Sequence, residues 1–289
     1  MARQTYGAWV IVAAVAIGLA APASAQDNDR DDEQEQAATQ TLEVAEPEAT
    51  SGQVVTTTTT QPIGPPYWAS IGGFSMDSHE AGYGFFGPQY IHPLRPSVAF
   101  IGAANLNYLF YAFDTFDGRQ DVQSPGVNAM GGLMFGNRNW FAVMAGPSFR
   151  RRHITVFDPA NNVIRSDRDL HVGFNIMTSL WVDPTPHNNV FTMYNYDTVD
   201  NYHWGRVAFK EMVANRGWQG DWTPFLGVEY TAQGNENILS QQFGPFFELA
   251  HGPSRVSVMV GGGYKHSAFD LGPDQTGPWF AIGFYHRVR

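Results

Sequence analysis

The chain has 289 residues, a formal net charge of −10, 15% charged and 14% aromatic residues, 30 glycines and no cysteine. Absence of cysteine excludes disulfides, thiolate metal sites and a lipidated N-terminal cysteine. Low charge with abundant Gly and aromatic residues is unusual for a soluble enzyme of this length and suits a β-barrel.

Residues 1–25 read as a cleaved signal peptide. Arg3 precedes an apolar stretch from Ala8 to Ala21, Pro22 closes it, and Ala23-Ser24-Ala25 gives the small-x-small cleavage pattern. The stretch is shorter than the ~20 residues a helix needs to cross a bilayer. Residues 26–66 read as a disordered periplasmic leader. Between Gln26 and Gln61 nine acidic residues face Arg30 alone, a net charge of −8, and the segment ends in the Thr56–Thr60 run and Pro62, Pro65 and Pro66. From Pro62 onward the balance is only −3, so the acidity belongs to the leader. A nucleic-acid partner has no support in this pattern.

Residues 67–289 read as the barrel. No apolar run there reaches transmembrane-helix length, and polar or small residues recur at every second place. Two strands are expected near Tyr67–Ser75 and Gly82–Ile91. In Val98–Phe110 the residues Val98, Phe100, Leu106, Tyr108 and Phe110 share one face, leaving Asn105 and Asn107 to line the lumen. Val127, Leu133 and Phe135 alternate with Asn128 and Gly132. After the Asn137-Arg138-Asn139 turn, Phe141, Val143 and Phe149 alternate with Ser148 and Arg150. A charged loop from Arg150 to Asp169 then leads to Leu170–Leu180. Further strands follow at Phe191–Asp197, Tyr202–Val213, Thr223–Gln233, Leu239–Ala250, Ser254–Lys265 and Pro278–Val288. The expectation is an all-β antiparallel transmembrane barrel of about 12 strands, with 10 as the alternative count. A soluble β-sandwich alternates in the same way. The many Tyr and Trp residues near the predicted strand ends favour the aromatic girdles of a membrane barrel instead.

The C-terminal half carries Gly227-Val228-Glu229, Gly234-Asn235, Phe243-Gly244-Pro245-Phe246, Val260-Gly261-Gly262-Gly263-Tyr264 and Gly277-Pro278-Trp279-Phe280-Ala281-Ile282-Gly283-Phe284-Tyr285. These resemble the Gly-Pro-Glu, Gly-Asn and Gly-x-Tyr pattern of the bacterial cellulose biosynthesis protein BcsS family. Val127–Ser148, ending in Ala145-Gly146-Pro147, is similar to that family's strand before its Gly-Pro segment. Together they cover about half the chain, with Gly-Val-Glu standing here for Gly-Pro-Glu. The resemblance implies an outer-membrane protein of cellulose or exopolysaccharide biosynthesis and secretion, with no catalytic residues. Its partners would be outer-membrane lipid, cellulose or another glucan, and the secretion machinery.

Parity places Arg206, Lys210, Glu229, Glu248, Arg255 and Lys265 in the lumen, since Arg or Lys facing lipid costs about 2–4 kcal/mol at mid-membrane. They either pair within the wall or contact a substrate. Trp181 and Trp204 are the candidates for stacking on a glucan; as girdle residues they would need no ligand. His153, His171, His203, His251 and His266 lie in no nucleophile or metal motif, so the reading is non-enzymatic, with no cofactor and no metal. A small-solute porin-like channel and a rim-located hydrolase are the alternatives. The chain ends His286-Arg287-Val288-Arg289, so its last aromatic, Tyr285, lies four residues inside the end on which barrels commonly carry an aromatic assembly signal.

Overall fold

The structure is a computed structural model that describes residues 65–115, 118–214, 221–235, 238–269 and 273–288. The expected signal peptide and nearly all of the expected leader lie outside the described residues. Twelve strands follow one another: β1 (Tyr67–Asp77), β2 (Gly82–Arg95), β3 (Val98–Thr115), β4 (Gly118–Gly136), β5 (Trp140–Phe157), β6 (Val163–Val182), β7 (Asn188–Asp197), β8 (Tyr202–Met212), β9 (Trp222–Gly234), β10 (Ile238–His251), β11 (Val256–Phe269) and β12 (Gln275–Val288). Each strand pairs antiparallel with its sequence neighbours, and β1 pairs with β12 from Trp68↔Val288 to Asp77↔Trp279. Closure leaves no edge strand, the condition for crossing a bilayer without unpaired backbone groups. With an even strand number, β1 begins and β12 ends at the same rim, called here the terminal end.

Period-two patterning produces the two faces. In β5, buried Trp140, Ala142, Met144, Ser148 and Arg150 alternate with exposed Phe141, Val143, Pro147 and Phe149. Across the sheet the outer face carries Phe74, Phe86, Leu106, Val127, Leu133, Phe174, Ile176, Val228, Val260, Phe280 and Ile282. Trp68, Tyr90 and Trp222 edge this band near the terminal end, and Tyr108, Tyr194, Tyr230 and Tyr264 edge it at the other. Among the described residues no Asp, Lys or Arg stands on the outer face between these belts, and the acid that does is Glu211, next to the terminal end of β8 and opposite Leu226. From Trp68 to Met76 the band spans eight steps along a strand, roughly 20 Å along the barrel axis once strand tilt is allowed for, somewhat under the ~25 Å lipid-facing zone of membrane barrels.

Two expectations are corrected. The residues from Arg150 to Asp169 are not a loop: β5 and β6 stay paired to Phe157↔Val163, and only 158–162 connect them. Continuing the ladder satisfies the backbone, while the charges show that this stretch projects beyond the lipid. The aromatic residues, in turn, do not all form girdles. Tyr67, Trp140, Trp181, Tyr202, Trp204, Trp279 and Tyr285 share the inward parity, so about half of this aromatic complement fills the lumen.

The tight turns use residues suited to left-handed backbone. Gly136, at φ 100°, opens the Asn137-Arg138-Asn139 turn, where an added Cβ would lie 2.1 Å from the Asn139 carbonyl oxygen. Arg255 sits in the turn between β10 and β11 at φ 52°, with its backbone N–H donating to the Gly252 carbonyl at 3.2 Å. It is therefore a rim residue, not part of the lumen wall that parity assigned it to.

Candidate functional site

The lumen has two chemically different flanks. On β1–β6 and β12, at the terminal end, Tyr67, Ile91, Ile101, Met130, Met144, Trp140, Trp181 and Tyr285 form one apolar cluster. The Trp140 and Trp181 rings stack at 6.3 Å with planes 7° apart, and Phe191 packs on Trp181 at 5.9 Å. The Trp181 indole N–H donates to Asp183 Oδ1 at 2.8 Å, which also accepts from Asn189 Nδ2 at 2.9 Å. Burial decides what this cluster does. Ile91, Ile101 and Met144 are 1–2% exposed, whereas the inner wall of a water-filled pore would be wet.

The opposite flank, β8–β11, carries charge in pairs at successive heights. Lys210 Nζ meets Glu248 Oε2 at 2.8 Å, and Glu248 Oε1 accepts from Ser257 at 2.8 Å. Above them Arg206 Nη2 meets Glu229 Oε2 at 2.5 Å, and higher still Lys265 Nζ meets Asp77 Oδ2 at 2.6 Å, crossing from β11 to β1. The Lys210, Glu248, Lys265 and Asp77 side chains are all less than 10% exposed. Charges this deep persist only when paired, and removing one partner leaves the other uncompensated. The flanks meet at Lys210, whose ammonium lies 5.2 Å from the Trp181 ring centroid and 4.6 Å from that of Phe225.

A polar patch on β3–β7 completes the wall. Asn105 Nδ2 donates to Asn128 at 3.1 Å, Arg150 donates to Asn107 Oδ1 at 3.2 Å, and Ser148 donates to Asp197 Oδ2 at 2.7 Å. Away from the terminal end the β7–β8 connection folds inward as a 3-10 turn, Val199–Asn201. Asp197 Oδ1 accepts the Val199 N–H at 2.9 Å, and the Thr198 hydroxyl accepts the Phe174 N–H at 2.7 Å. Beside it a cavity of about 50 Å³, room for a few waters, is lined by Tyr83, Tyr111, Arg150, Val199, Tyr202 and Lys265.

The structure thus brings Arg206, Lys210, Glu229, Glu248 and Lys265 together on one flank and Asn105 and Asn107 on another. Trp181 and Trp204 both face inward, which overturns the girdle placement: in register Trp181 opposes Phe191, and Trp204 opposes Asn195 and Gln233. Trp181 is 4% exposed and offers no open face to a sugar, while Trp204 is half-buried. Sequence reasoning missed Asp77 and Asp197, each the last residue of its strand, where parity is hardest to read. Of the histidines, His171 faces inward. His203 faces outward, with its Nδ1 2.6 Å from the Tyr194 hydroxyl.

A model of the family described as cellulose biosynthesis protein BcsS matches residues 98–288, from the first residue of β3 to the last of β12. The chain belongs to this BcsS family. The match leaves out β1 and β2, which nevertheless close the barrel. Family, closed twelve-strand barrel and apolar outer band together make it an outer-membrane protein associated with cellulose biosynthesis. No curated protein matches the chain in sequence. Among solved structures it is similar to the β-domain of the Bordetella autotransporter BrkA, at 11% identity and TM-score 0.46, over 77% of this chain and 98% of that one. It is also similar to the translocator domain of the autotransporter NalP from Neisseria meningitidis, at 5% identity and TM-score 0.41, over 76% and 87%. A Pseudomonas aeruginosa FadL homologue follows at 9% identity and TM-score 0.35, over 77% and 88%. Likenesses this distant say nothing of activity.

Proposed function

We propose that this BcsS-family barrel is a non-enzymatic accessory of cellulose or exopolysaccharide biosynthesis and secretion, and that it acts without passing the polymer through its lumen. The observation that carries this reading is the filled terminal end, where the apolar cluster and the Lys210–Glu248 pair leave inner-wall side chains almost inaccessible. A glucan or its machinery would then be met at the rims or outer face, and of Trp181 and Trp204 it is the half-buried Trp204 that is left for a sugar. Two measurements test this. In a planar bilayer the barrel should be electrically silent, and discrete conductance steps would overturn the closed lumen. Deleting the gene should lower or alter secreted glucan scored by dye binding and fibre form; both unchanged would sever the link to cellulose.

The small-solute channel keeps one supporting observation, the charge of both signs at successive heights along β8–β11. It requires the terminal end to open. A rim hydrolase finds weaker support. His266 Nδ1 lies 3.0 Å from the Thr276 hydroxyl and its Nε2 3.8 Å from Asp274, but these groups are exposed and none is buried where water is excluded. Purified barrel that cleaves outer-membrane lipid or peptide would revive that reading.

A further inference from the structure

Where β3 to β6 emerge from the apolar band, their outer face gathers Arg151, His153, Arg168, Gln123 and Tyr108 around an open pocket of about 240 Å³. The register explains the convergence: Tyr108 lies opposite Pro125, Gln123 opposite His153, His153 opposite Arg168, and Arg151 two residues before His153 on the same face. Among the described residues neither Arg151 nor Arg168 forms an ion pair, although both are exposed. The acids nearby are engaged elsewhere or face away. Asp121, on the same face, holds Arg119 at 2.7 Å; Asp167 and Asp169 point to the other face, where Asp167 meets Arg165 at 2.5 Å.

Directly below the cations, towards the middle of the band, Leu106, Val127, Phe149, Leu170 and Val172 are 41–71% exposed. Leu170 is the register partner of Arg151 itself, so charge and lipid-facing wall abut on adjacent strands. We propose that this is a binding site for a phosphorylated lipid, its phosphate on Arg151 and Arg168 and its acyl chains along the apolar wall. Guanidinium groups match phosphate oxygens in paired hydrogen bonds, and a basic pocket at headgroup height is the electrostatic complement of an anionic lipid. Free inorganic phosphate offers the same oxygens but has nothing to place on Leu106, Leu170 and Val172.

The test uses the purified full barrel in detergent and native mass spectrometry with phosphatidic acid, the diacylglycerol of the same chains, and inorganic phosphate. Wild-type protein should retain phosphatidic acid at least about tenfold more than diacylglycerol. The R151Q/R168Q variant should fall to the diacylglycerol level with its heat-modifiable mobility unchanged, while R95Q, at the terminal end, should bind as wild type does. Excess inorganic phosphate should leave the lipid in place; displacement of lipid by it would reassign the pocket to small anions and overturn the lipid claim. Equal retention of the two lipids, or of phosphatidic acid by wild type and R151Q/R168Q, would overturn the site altogether.

Discussion

The β1–β6 flank of the lumen closes with carbon, and the β8–β11 flank closes with charge. Ile91, Ile101, Met144 and the Trp140–Trp181 stack gain from being together, each contact adding a small increment that neighbours partly replace when one is altered. Lys210, Glu248, Lys265 and Asp77 gain only as pairs, because an isolated charge at such depth has lost its water without compensation. The apolar flank should degrade gradually under substitution, and the charged flank abruptly.

The largest effect should come from Lys210→Met, which strands Glu248 and should cost about 3–5 kcal/mol. Loss of the heat-modifiable form in a urea titration would measure it. Adding Glu248→Gln should recover most of that loss, and a double variant no better than the single one would show that packing, not pairing, matters there. Next in size, Ile101→Ala should cost about 2–5 kcal/mol by leaving a cavity, whereas Ile101→Leu should stay within about 1.5 kcal/mol. The third test separates the cluster from the 3-10 turn. A Cβ at Gly173 would lie 2.6 Å from both Thr198 Oγ1 and Val199 Cγ2, so Gly173→Val should push the turn off the wall. Alone it should leave a bilayer silent, and combined with Ile101→Ala and Trp181→Ala it should give conductance steps. Conductance from Gly173→Val alone would make the turn the closure. The smallest effect lies at the β5–β6 loop, where bonds from the Asn162 N–H and side chain hold the Asp158 carboxyl below its ordinary pKa. A lowered folded-state value means the contribution is complete above the unfolded carboxylate pKa, about 3.9, and fades as pH falls through the lowered one. Limited proteolysis of this loop should accelerate only at strongly acidic pH.

Strand number and face were legible in the sequence because closure of a membrane barrel imposes one rule on every strand: apolar outward, small or polar inward. Val98–Phe110 and Phe141–Phe149 show it plainly, and Asn105 and Asn107 take inward positions within hydrogen-bond reach of Asn128 and Arg150. The rule failed in two places for physical reasons. Aromatic residues are apolar on either face, so alternation does not tell an outward Tyr194 from an inward Tyr202, and Trp181 read as a belt residue although it fills the lumen. Charge was read as loop from Arg150 to Asp169, yet strands leaving the bilayer keep their ladder while exchanging lipid for water around it.

By itself the sequence determined the barrel, its count of about twelve crossings, the apolar outer band and most of the interior charges, since each follows from period-two chemistry along a single strand. Only the tertiary structure decided which charges meet, that the terminal end is filled, and that Arg151, His153 and Arg168 converge with Tyr108 above exposed leucines and valines. Those outcomes depend on register between strands far apart in the chain, such as Lys265 on β11 reaching Asp77 on β1, and one residue of slip would send every side chain of a strand to the opposite face.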